Sequence, residues 1–356
     1  MKPPVLMIGN FLSASGWTVT PCEEIAGRLS ASGWEVHTSS DKPARARRLL
    51  DMITAVVVLR NEYAVATVDV FSGFAFFWAE AVCASLRAVG RPYVLVLHGG
   101  MLPEFSRRWP RRVRRLLRSA AAVVAPSGYL CEGMAPYGAS LILLPNALDL
   151  SRYTPRQRVR PGPCLLWARA FHEIYNPTLA ARVVQALAPA YPDIRLIMLG
   201  PDRGDGSRGR FLQAAADFGV TDRIEMVGAV PKSDVPRWME KSDIFLNTTG
   251  VDNLPVSVLE ALACGMCVVS TNVGGLPFFL HDGENALLVP PSDHRAMADS
   301  VERVLSEPGL AARLSENARR SVERLDWSVI LPQWESLLTG VVNRSAPDLR
   351  GAHVTL

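Results

Sequence analysis

The segment from Asp243 to Pro277 reads DIFLNTTGVDNLPVSVLEALACGMCVVSTNVGGLP and alternates short apolar runs with a helical pattern. DIFLNTT and CVVSTN have the length and apolar content of buried strands, and apolar residues recur at helical spacing between them. Pro255 suits the first position of that helix, where its missing N–H costs nothing, and Gly265 suits its end. A strand, a helix and a second strand in this order predict a parallel βαβ unit.

The same alternation continues in both directions and predicts an α/β protein with two tandem doubly wound Rossmann-like domains. The other predicted strands are VLMIG, WEVHTS, AVVVLR, YVLVLHGG, AAVVAPS and LILLPNA in the first half and PCLLWAR, IRLIMLG, IEMVGAV and ALLVPP in the second. A polar, proline-rich run interrupts the pattern near residues 147–163. The default ligand site of such domains is the crevice at the carboxyl ends of the strands.

These patterns predict the following division of the chain. Residues 1–150 form a first Rossmann-like domain, residues 151–162 a linker, and residues 163–326 a second Rossmann-like domain. Residues 327–342 form a helix that packs back across the domains. Residues 343–356 are expected to be a disordered tail.

Composition places the chain among globular proteins, with 49% hydrophobic and 20% charged residues in 356. The net charge of +4 is uneven, because residues 1–160 carry +9 and the remainder −5. The most apolar window, residues 70–86, is shorter than the roughly 20 residues that span a bilayer and contains Glu80. Six scattered cysteines with a single CxxC, Cys264 and Cys267, indicate reduced thiols and predict a cytoplasmic protein.

The loop and helix start at residues 250–256 have the features of an anion site. A helix N-terminus presents free backbone N–H groups and about half a positive charge, which favours a phosphate or diphosphate. Asp252 precedes the helix and Glu260 lies within it, so their carboxylates flank that position. Because carboxylates accept hydrogen bonds from hydroxyl groups, a nucleotide sugar fits this arrangement. The alternative is that Asp252 caps the helix and Glu260 faces solvent.

These residues resemble the donor-binding segment of the retaining family 4 glycosyltransferases. The family signature is two glutamates separated by seven residues, followed by Ala-x-Ala-x-Gly. Glu260 matches the second acid, residues 261–265 read ALACG, and Gly274-Gly275 match the glycine pair after the next strand. Asp252 stands in place of the first glutamate and is one methylene shorter. The resemblance implies that Glu260 binds the ribose of a nucleotide sugar and that Asp252 reaches the transferred sugar.

The resemblance extends over most of the chain and implies the GT-B architecture, with two domains facing across a cleft. It implies that residues 1–150 form the acceptor-side domain and that residues 163–326 form the domain that binds the nucleotide-sugar donor. Ser15-Gly16 match the glycine pair of the family's first loop, 17 residues before Gly33. A glycine there lets backbone N–H groups approach a phosphate. The remaining residues expected at the donor are Gly228, Asn253 and Leu254.

The segment after the first strand of the second domain both matches the family and departs from it. Arg169 matches an arginine that contacts the diphosphate, whereas Tyr175 stands where the family usually has a lysine. The whole chain has only four lysines, so Arg203 and Arg208 are candidates for supplying the missing charge. With the helix N-terminus, Arg169 is expected to stabilise the leaving diphosphate.

Two further positions are predicted to lie on the acceptor side. His98 ends the strand YVLVL, and the resemblance implies that it positions the reactive sugar or orients the acceptor; a histidine after a strand is otherwise structural. Arg60, Asn61 and Glu62 follow the predicted strand AVVVL and are expected at an equivalent edge. Glu62 is a candidate for proton transfer there. The predicted catalytic residues are therefore His98, Arg169 and Asp252.

A basic stretch at residues 105–119, FSRRWPRRVRRLLRS, is predicted to form an amphipathic helix. Its apolar residues recur every three to four positions, and its basic and aromatic candidates are Arg107, Arg108, Trp109, Arg111, Arg112, Arg114, Arg115 and Arg118. Such a helix binds an anionic membrane or a phosphate-bearing acceptor. We therefore expect a glycan or lipid-linked acceptor and a peripheral position on the inner face of the cell membrane. The alternative is a solvated helix whose apolar side packs on its own domain.

The sequence contains no Asp-x-Asp motif, so we expect a metal-independent hexosyl- or related glycosyltransferase, without a cofactor, for polysaccharide or glycolipid biosynthesis. A nucleotide sugar is the expected co-substrate, and the resemblance implies retention of anomeric configuration. Nucleic acid is opposed by the acidic second half. A dinucleotide-dependent oxidoreductase needs G-x-G-x-x-G after a strand, and we expect no strand here to be followed by that pattern. A non-catalytic relative that binds a nucleotide sugar or glycan as a partner subunit remains the alternative.

Overall fold

The computed structural model describes residues 2–13, 19–138 and 140–345. The chain forms two compact units: the first contains the residues up to Pro145 and those from Ser328, and the second runs from Asn146 to Trp327. Ser15 and Gly16 lie outside the described residues. The predicted α/β class is confirmed in both units, because each contains a parallel sheet flanked by helices.

In the first unit, the described strands form one parallel sheet with the order β2-β1-β3-β4-β5-β6. The strands are β1 (Val5–Ile8), β2 (Val36–Ser39), β3 (Val65–Val70), β4 (Tyr93–Leu97), β5 (Ala122–Ala125) and β6 (Leu141–Leu143). The helices are α1 (Pro21–Ala31), α2 (Arg45–Val58), α3 (Phe74–Ala88), α4 (Leu102–Arg108), α5 (Pro110–Arg118) and α6 (Gly128–Met134). Apolar side chains from β3, β4, α3 and α5 fill its core.

The predicted strand AVVVLR at residues 55–60 is wrong, because Ala55–Val58 are the last turn of α2. Val56 packs into the core while Val57 and Val58 are exposed, so tertiary packing overrides the strand preference of three successive valines. The strand begins only at Val65. Residues 60–62 therefore lie at the amino end of β3, and Glu62 is exposed at the edge opposite to the expected site.

In the second unit, the described strands also form a parallel sheet, with the order β12-β11-β10-β7-β8-β9. The strands are β7 (Cys164–Ala168), β8 (Arg195–Leu199), β9 (Ile224–Gly228), β10 (Ile244–Asn247), β11 (Cys267–Thr271) and β12 (Leu287–Val289). The helices are α7 (Pro177–Leu187), α8 (Ser207–Asp217), α9 (Val235–Glu240), α10 (Val256–Ala263), α11 (His294–Ser306) and α12 (Leu310–Val322). The βαβ unit predicted from residues 243–277 is β10, α10 and β11.

The last helix, α13 (Trp327–Ser345), returns the chain to the first unit. Its Glu335 accepts hydrogen bonds from Lys2 Nζ at 2.5 Å, Ser32 Oγ at 2.8 Å and Trp34 Nε1 at 3.0 Å. Lys2 and these other donors lower the pKa of the Glu335 carboxyl. Residues 343–345 are helical rather than part of a disordered tail, and the rest of that tail lies outside the described residues.

The entry and exit of the second unit are hydrogen-bonded to each other. Leu148 donates its N–H to the carbonyl of Leu325 at 2.9 Å, and its carbonyl accepts from Trp327 at 3.0 Å. The chain therefore enters and leaves this unit at adjacent positions, and Leu148 and Asp326 form a parallel bridge.

The segment predicted as a linker, residues 151–162, belongs to the second unit. Arg158 attaches it there, because its side chain is 2% exposed and donates to the carbonyls of Arg156 (2.7 Å), Met239 (3.0 Å), Ser242 (3.1 Å) and Cys264. Burial lowers the pKa of this guanidinium. The sequence pattern missed this because arginine in a polar, proline-rich run is normally solvated.

We predict that Arg158→Leu lowers the free energy of unfolding by about 3 kcal/mol, because several buried carbonyl groups lose their charged donor. Urea unfolding measures the change. Arg160→Leu is the matched control, since Arg160 is exposed two residues away and should change stability by less than about 0.5 kcal/mol. Equal stability of the two variants would show that the hydrogen bonds of Arg158 do not stabilise the unit.

Candidate functional site

In the second unit, the order of the strands reverses between β7 and β10. The chain proceeds from β7 to β8 and β9 on one side, and β10 then returns to pair with the other side of β7. Loops that leave the carboxyl ends of two such strands diverge, which opens a crevice for a ligand. Arg169 follows β7, and the loop containing Asp252 follows β10. The fold therefore brings these two predicted site residues together.

Arg169 and Asp252 form a largely buried ion pair. Arg169 Nη2 lies 2.6 Å from Asp252 Oδ2, and Arg169 Nη1 donates to Ser257 Oγ at 3.3 Å. Burial raises the pKa of the Asp252 carboxyl, and the positive charge of Arg169 opposes this shift. The guanidinium carbon lies 4.0 Å from the centre of the Tyr175 ring, which is a cation–π contact. Arg169 is thus held by a carboxylate, a hydroxyl and an aromatic ring.

A hydrogen bond from Thr248 to the backbone carbonyl of Tyr175 holds this residue in position. Its carbonyl accepts a hydrogen bond from Thr248 Oγ1 at 2.6 Å, and that hydroxyl accepts from the buried Trp167 Nε1 at 2.9 Å. The residue that replaces the expected lysine therefore supplies an aromatic surface for Arg169 instead of a second positive charge. Arg203 and Arg208 are exposed in or near the loop after β8.

At the start of α10, backbone N–H groups have no hydrogen-bond acceptor among the described residues. Pro255 precedes the helix as its N-cap, one position earlier than predicted, and no side chain caps this end. The N–H groups of Val256 and Ser257 donate to no acceptor in the described part of the chain. Asp252 does not cap the helix, because its Oδ1 accepts from the neighbouring N–H of Asn253 at 3.0 Å.

Glu260 lies inside the protein rather than on its surface. It is 6% exposed, and its Oε1 accepts a hydrogen bond from the buried Tyr153 hydroxyl at 2.7 Å. The alternative in which Asp252 caps the helix and Glu260 faces solvent is therefore wrong. The sequence pattern missed Tyr153, because it lies in the run LSRYTPR that was interpreted as part of the linker. A tyrosine within a polar loop was the only available signal.

The other predicted donor residues lie around the same sheet edge. Gly228 ends β9 with φ of 80°, and its carbonyl accepts from Gly200 N–H at 2.8 Å. Asn253 and Leu254 are buried, and the Leu254 carbonyl accepts from the Asn146 side chain at 3.1 Å.

The glycine pair at residues 274–275 allows two backbones to approach closely. A Cβ atom on Gly274 would lie 2.0 Å from the carbonyl oxygen of Asp252, and one on Gly275 would lie 2.2 Å from that of Asn253. Gly275 also donates its N–H to the Asp252 carbonyl at 3.1 Å. The pair is therefore needed because a side chain there would displace the loop that carries Asp252.

In the first unit, the predicted His98 lies in a contact that the sequence did not reveal. His98 Nε2 lies 3.0 Å from Asp69 Oδ1, and the imidazole stacks on Phe71 with ring centres 4.8 Å apart. Asp69 is the one charged residue of the largely buried strand β3. This charge was the signal in the sequence that could have indicated a polar partner such as His98. Burial raises the pKa of the nearby Cys22 thiol, and Asp69 adds to this shift through its charge and a hydrogen bond.

The basic stretch forms two helices rather than one. Helix α4 ends at Arg108, Trp109 lies between the two helices, and Pro110 begins α5. Val113, Leu116 and Leu117 are buried in the core of the first unit, so the apolar side packs on its own domain. Arg112 pairs with Glu80 at 2.5 Å and stacks over Phe77 at 4.5 Å, and Arg108 pairs with Glu104 at 2.9 Å. The exposed members of the stretch are Arg107, Arg108, Trp109, Arg111, Arg112, Arg114, Arg115 and Arg118.

Among the described helices, none is both long enough and apolar enough to cross a bilayer.

A GDGSRG sequence at residues 204–209 has the G-x-G-x-x-G spacing of dinucleotide-binding proteins. It begins after a four-residue gap from the end of β8 and leads into α8. Because β8 lies between β7 and β9, this loop does not follow either strand at the reversal of the sheet. Its position gives no support to dinucleotide binding.

Comparison with protein families decides the assignment. Residues 5–152 match the model for glycosyltransferase family 4, and residues 162–321 match the model for glycosyl transferases group 1. The chain belongs to the family 4 glycosyltransferases. The family is the one that the acid and glycine signature resembled, and its GT-B architecture agrees with the two parallel sheets.

Individual relatives agree with this assignment. The chain is 30% identical over 181 residues to a phosphatidylinositol N-acetylglucosaminyltransferase subunit of Arabidopsis thaliana, covering 50% of this chain and 38% of that protein. It is 27% identical over 269 residues to a D-inositol 3-phosphate glycosyltransferase of Xylanimonas cellulosilytica, covering 70% and 64%. The chain thus spans less than two thirds of the length of both relatives.

Solved structures share the fold. Sucrose-phosphate synthase from Thermosynechococcus elongatus superposes with a TM-score of 0.81 at 18% identity, over 96% of this chain and 100% of that chain. Anabaena HepE, solved with UDP and glucose, superposes with a TM-score of 0.77 at 19% identity, over 95% and 100%. These likenesses confirm the two-domain α/β fold predicted from the alternating pattern and the GT-B architecture that the family resemblance implied.

We predict that Gly275→Ala destabilises the protein by about 1–3 kcal/mol, because the new methyl group meets the backbone of Asn253. Gly209→Ala is the control, since a Cβ there meets nothing within 4 Å and Gly209 lies in α8. The control should stabilise by up to about 1 kcal/mol through helix propensity. Urea unfolding compares the two, and an unchanged midpoint for Gly275→Ala would contradict the close approach.

Proposed function

We propose that the protein transfers a sugar from a nucleotide-sugar donor to a glycan or lipid-linked acceptor with retention of anomeric configuration. The observation that carries the proposal is the contact of Arg169 with Asp252 and with Ser257 at the start of α10, whose first N–H groups have no acceptor among the described residues. Glu260 is buried in the same helix. A helix start that binds an anion, with carboxylates in its loop and its helix, suits a diphosphate that joins two hydroxyl-bearing rings. The two relatives, a D-inositol 3-phosphate glycosyltransferase and a phosphatidylinositol N-acetylglucosaminyltransferase subunit, support a role in glycolipid or polysaccharide biosynthesis.

The proposed chemistry depends on stabilising negative charge as the donor bond breaks. The departing nucleoside diphosphate gains charge on its terminal phosphate oxygen. The N–H groups of Val256 and Ser257 and the guanidinium of Arg169 lie at the carboxyl edge of the same sheet. There they are proposed to stabilise that charge. Such preorganised donors are a large catalytic contribution, and loss of one lowers turnover by about 10²- to 10³-fold. No metal ion is required by this scheme, and we propose metal-independent transfer.

Asp252 and Glu260 have different proposed roles. Glu260 is held by Tyr153 and is proposed to accept hydrogen bonds from the ribose hydroxyls. Asp252 is proposed to contact the transferred sugar and, in addition, to orient Arg169. Because Arg169 already pairs with Asp252, a bound diphosphate shares this guanidinium with the carboxylate.

The direct test incubates the protein with a panel of nucleotide sugars and measures nucleoside diphosphate release, with and without EDTA. We expect release with one donor to persist in EDTA, and ¹H NMR of the product to show the anomeric configuration of the donor. Arg169→Gln should lower the rate by about 10²-fold or more, because it removes a charged donor from the leaving group. Strict metal dependence would overturn metal-independent transfer. Binding without turnover across the panel would favour the non-catalytic alternative.

Asp252→Asn separates contact with the sugar from simple support of Arg169. Loss of the carboxylate charge frees Arg169 to pair fully with a phosphate, so we expect lower turnover with unchanged or tighter binding of the nucleoside diphosphate. Calorimetry and steady-state rates measure the two effects. Asp222→Asn, at an exposed 3₁₀ turn, is the control. Equal losses of binding and turnover in Asp252→Asn would restrict Asp252 to holding Arg169.

We also propose peripheral contact of the basic stretch with an anionic membrane on the cytoplasmic side. The triple variant Arg111→Gln, Arg114→Gln, Arg115→Gln should weaken binding to phosphatidylglycerol vesicles by about 10-fold or more, since each basic residue near such a surface contributes about 1 kcal/mol. Arg112 is retained because it pairs with Glu80. The control is a second triple variant in which three exposed arginines of the second unit are changed to glutamine: Arg195, Arg237 and Arg295. Equal vesicle binding by both triple variants in flotation would overturn the proposed contact.

A further inference from the structure

The first unit contains a cavity of about 350 Å³ that none of the predicted donor residues lines. Ile8 and Gly9 at the end of β1 and Val68 to Phe71 at the end of β3 form its floor, and α2 and α3 form its sides. The order of the sheet reverses between β1 and β3, because β2 lies on one side of β1 and β3 on the other. The cavity therefore occupies the ligand-binding position of this sheet.

Two arginines from one face of α2 line this cavity. Arg48 is fixed, because its guanidinium donates to Asn10 Oδ1, the Lys42 carbonyl and the Pro43 carbonyl, each at 2.8 Å. Arg45, one turn earlier, forms no hydrogen bond or ion pair with any residue that the structure describes. The cavity thus carries two guanidinium groups: that of Arg48 is fixed by hydrogen bonds, and that of Arg45 can pair with a ligand.

The acidic residue of the lining is already engaged. Asp69 accepts from His98 Nε2 at 3.0 Å and interacts with the Cys22 thiol. Among the described residues, Asp69 forms no ion pair with Arg45 or Arg48. The two guanidinium groups outnumber this one carboxylate in the lining and favour an anion. A planar guanidinium binds phosphate or carboxylate oxygens through two parallel hydrogen bonds.

The remaining walls are apolar and rich in aromatic rings. Met52 and Val82 contribute aliphatic surface, and Phe71, Phe74 and Trp78 contribute rings. Phe74 is 80% exposed, which is unusual for a phenylalanine and leaves its ring available to a ligand. These walls suit an apolar or flat group.

We propose that this cavity binds the acceptor through a phosphate or carboxylate at Arg45 and Arg48, with an apolar part of the acceptor against Phe74 and Trp78. This inference rests on the proposed transferase function and names its acceptor class as an anionic amphiphile. Because Asp69 contacts both the cavity and His98, an acceptor held there lies beside the histidine that was predicted to orient it.

The test uses the full chain and phenyl phosphate, a small probe with both a phosphate and an aromatic ring, in ligand-observed NMR and calorimetry. We expect Arg45→Gln to weaken binding at least 10-fold and Ala75→Trp, which fills the cavity from α3, to abolish it. Arg47→Gln is the matched control, since Arg47 is exposed on the same helix but does not line the cavity. Circular dichroism establishes that each variant is folded.

Two further probes define the source of the anion. Inorganic phosphate and neutral phenyl glucoside should each bind at least 10-fold more weakly than phenyl phosphate. In the Arg111→Gln, Arg114→Gln, Arg115→Gln background, which lacks the basic stretch's proposed vesicle contact, loss of binding to phosphatidic acid vesicles on adding Ala75→Trp would support a lipid-borne phosphate. Unchanged vesicle binding there with loss of phenyl phosphate binding would support a soluble acceptor. Equal phenyl phosphate binding by Arg45→Gln and Arg47→Gln, or none by the unmodified protein, would overturn the inference.

The outcome is separable from that of the proposed function. Donor turnover is measured by nucleoside diphosphate release, which needs no phenyl phosphate. Arginine-dependent phenyl phosphate binding without release from any donor would retain the cavity as an anion site and reject the transferase proposal. Release from a donor without phenyl phosphate binding would retain the transferase and reject this acceptor class.

Discussion

The ion pair between Arg169 and Asp252 joins the two loops on which the second unit's site depends. One loop follows β7 and the other follows β10, and these neighbouring strands are where the sheet reverses its order. Removal of both groups from water is costly unless they meet with good geometry. The 2.6 Å contact, the Ser257 hydroxyl and the Tyr175 ring provide that geometry. The glycine pair at residues 274–275 allows the loop after β11 to pack closely against the backbone of Asp252 and to donate a hydrogen bond to its carbonyl.

Much of the fold was predictable because buried parallel strands leave continuous apolar runs. The βαβ unit at residues 243–277 follows directly from apolar spacing, proline and glycine. The failure at residues 55–60 has a physical cause: a run of valines suits a strand and also the last turn of a packed helix. The true strand β3 was obscured by Asp69, whose charge breaks the apolar run but is accommodated by His98.

The candidate site was predictable where chemistry is encoded locally. Asp252, Glu260 and Arg169 stand at fixed offsets from recognisable strands and helices, and the structure brings Arg169 and Asp252 into contact. Tyr153, Asp69 and Arg158 were missed because each acts through a partner distant in sequence. A buried arginine or tyrosine in a polar segment is indistinguishable from a solvated one until the groups that accept its hydrogen bonds are known. Pairing across 107 residues, as between Tyr153 and Glu260, has no local pattern.

The paired entry and exit of the second unit have a topological consequence. Residues 146–327 are an insertion: the chain leaves the first fold after Pro145, completes a second fold and resumes the first at Ser328. Since Leu148 is hydrogen-bonded to both Leu325 and Trp327, the two ends of the insertion are side by side. A short bridge can therefore replace the inserted segment without stretching the host, and the segment itself has adjacent termini suited to circular permutation. The first unit is thus a host fold and the second an inserted cassette, which gives the second unit a route to be exchanged between host folds.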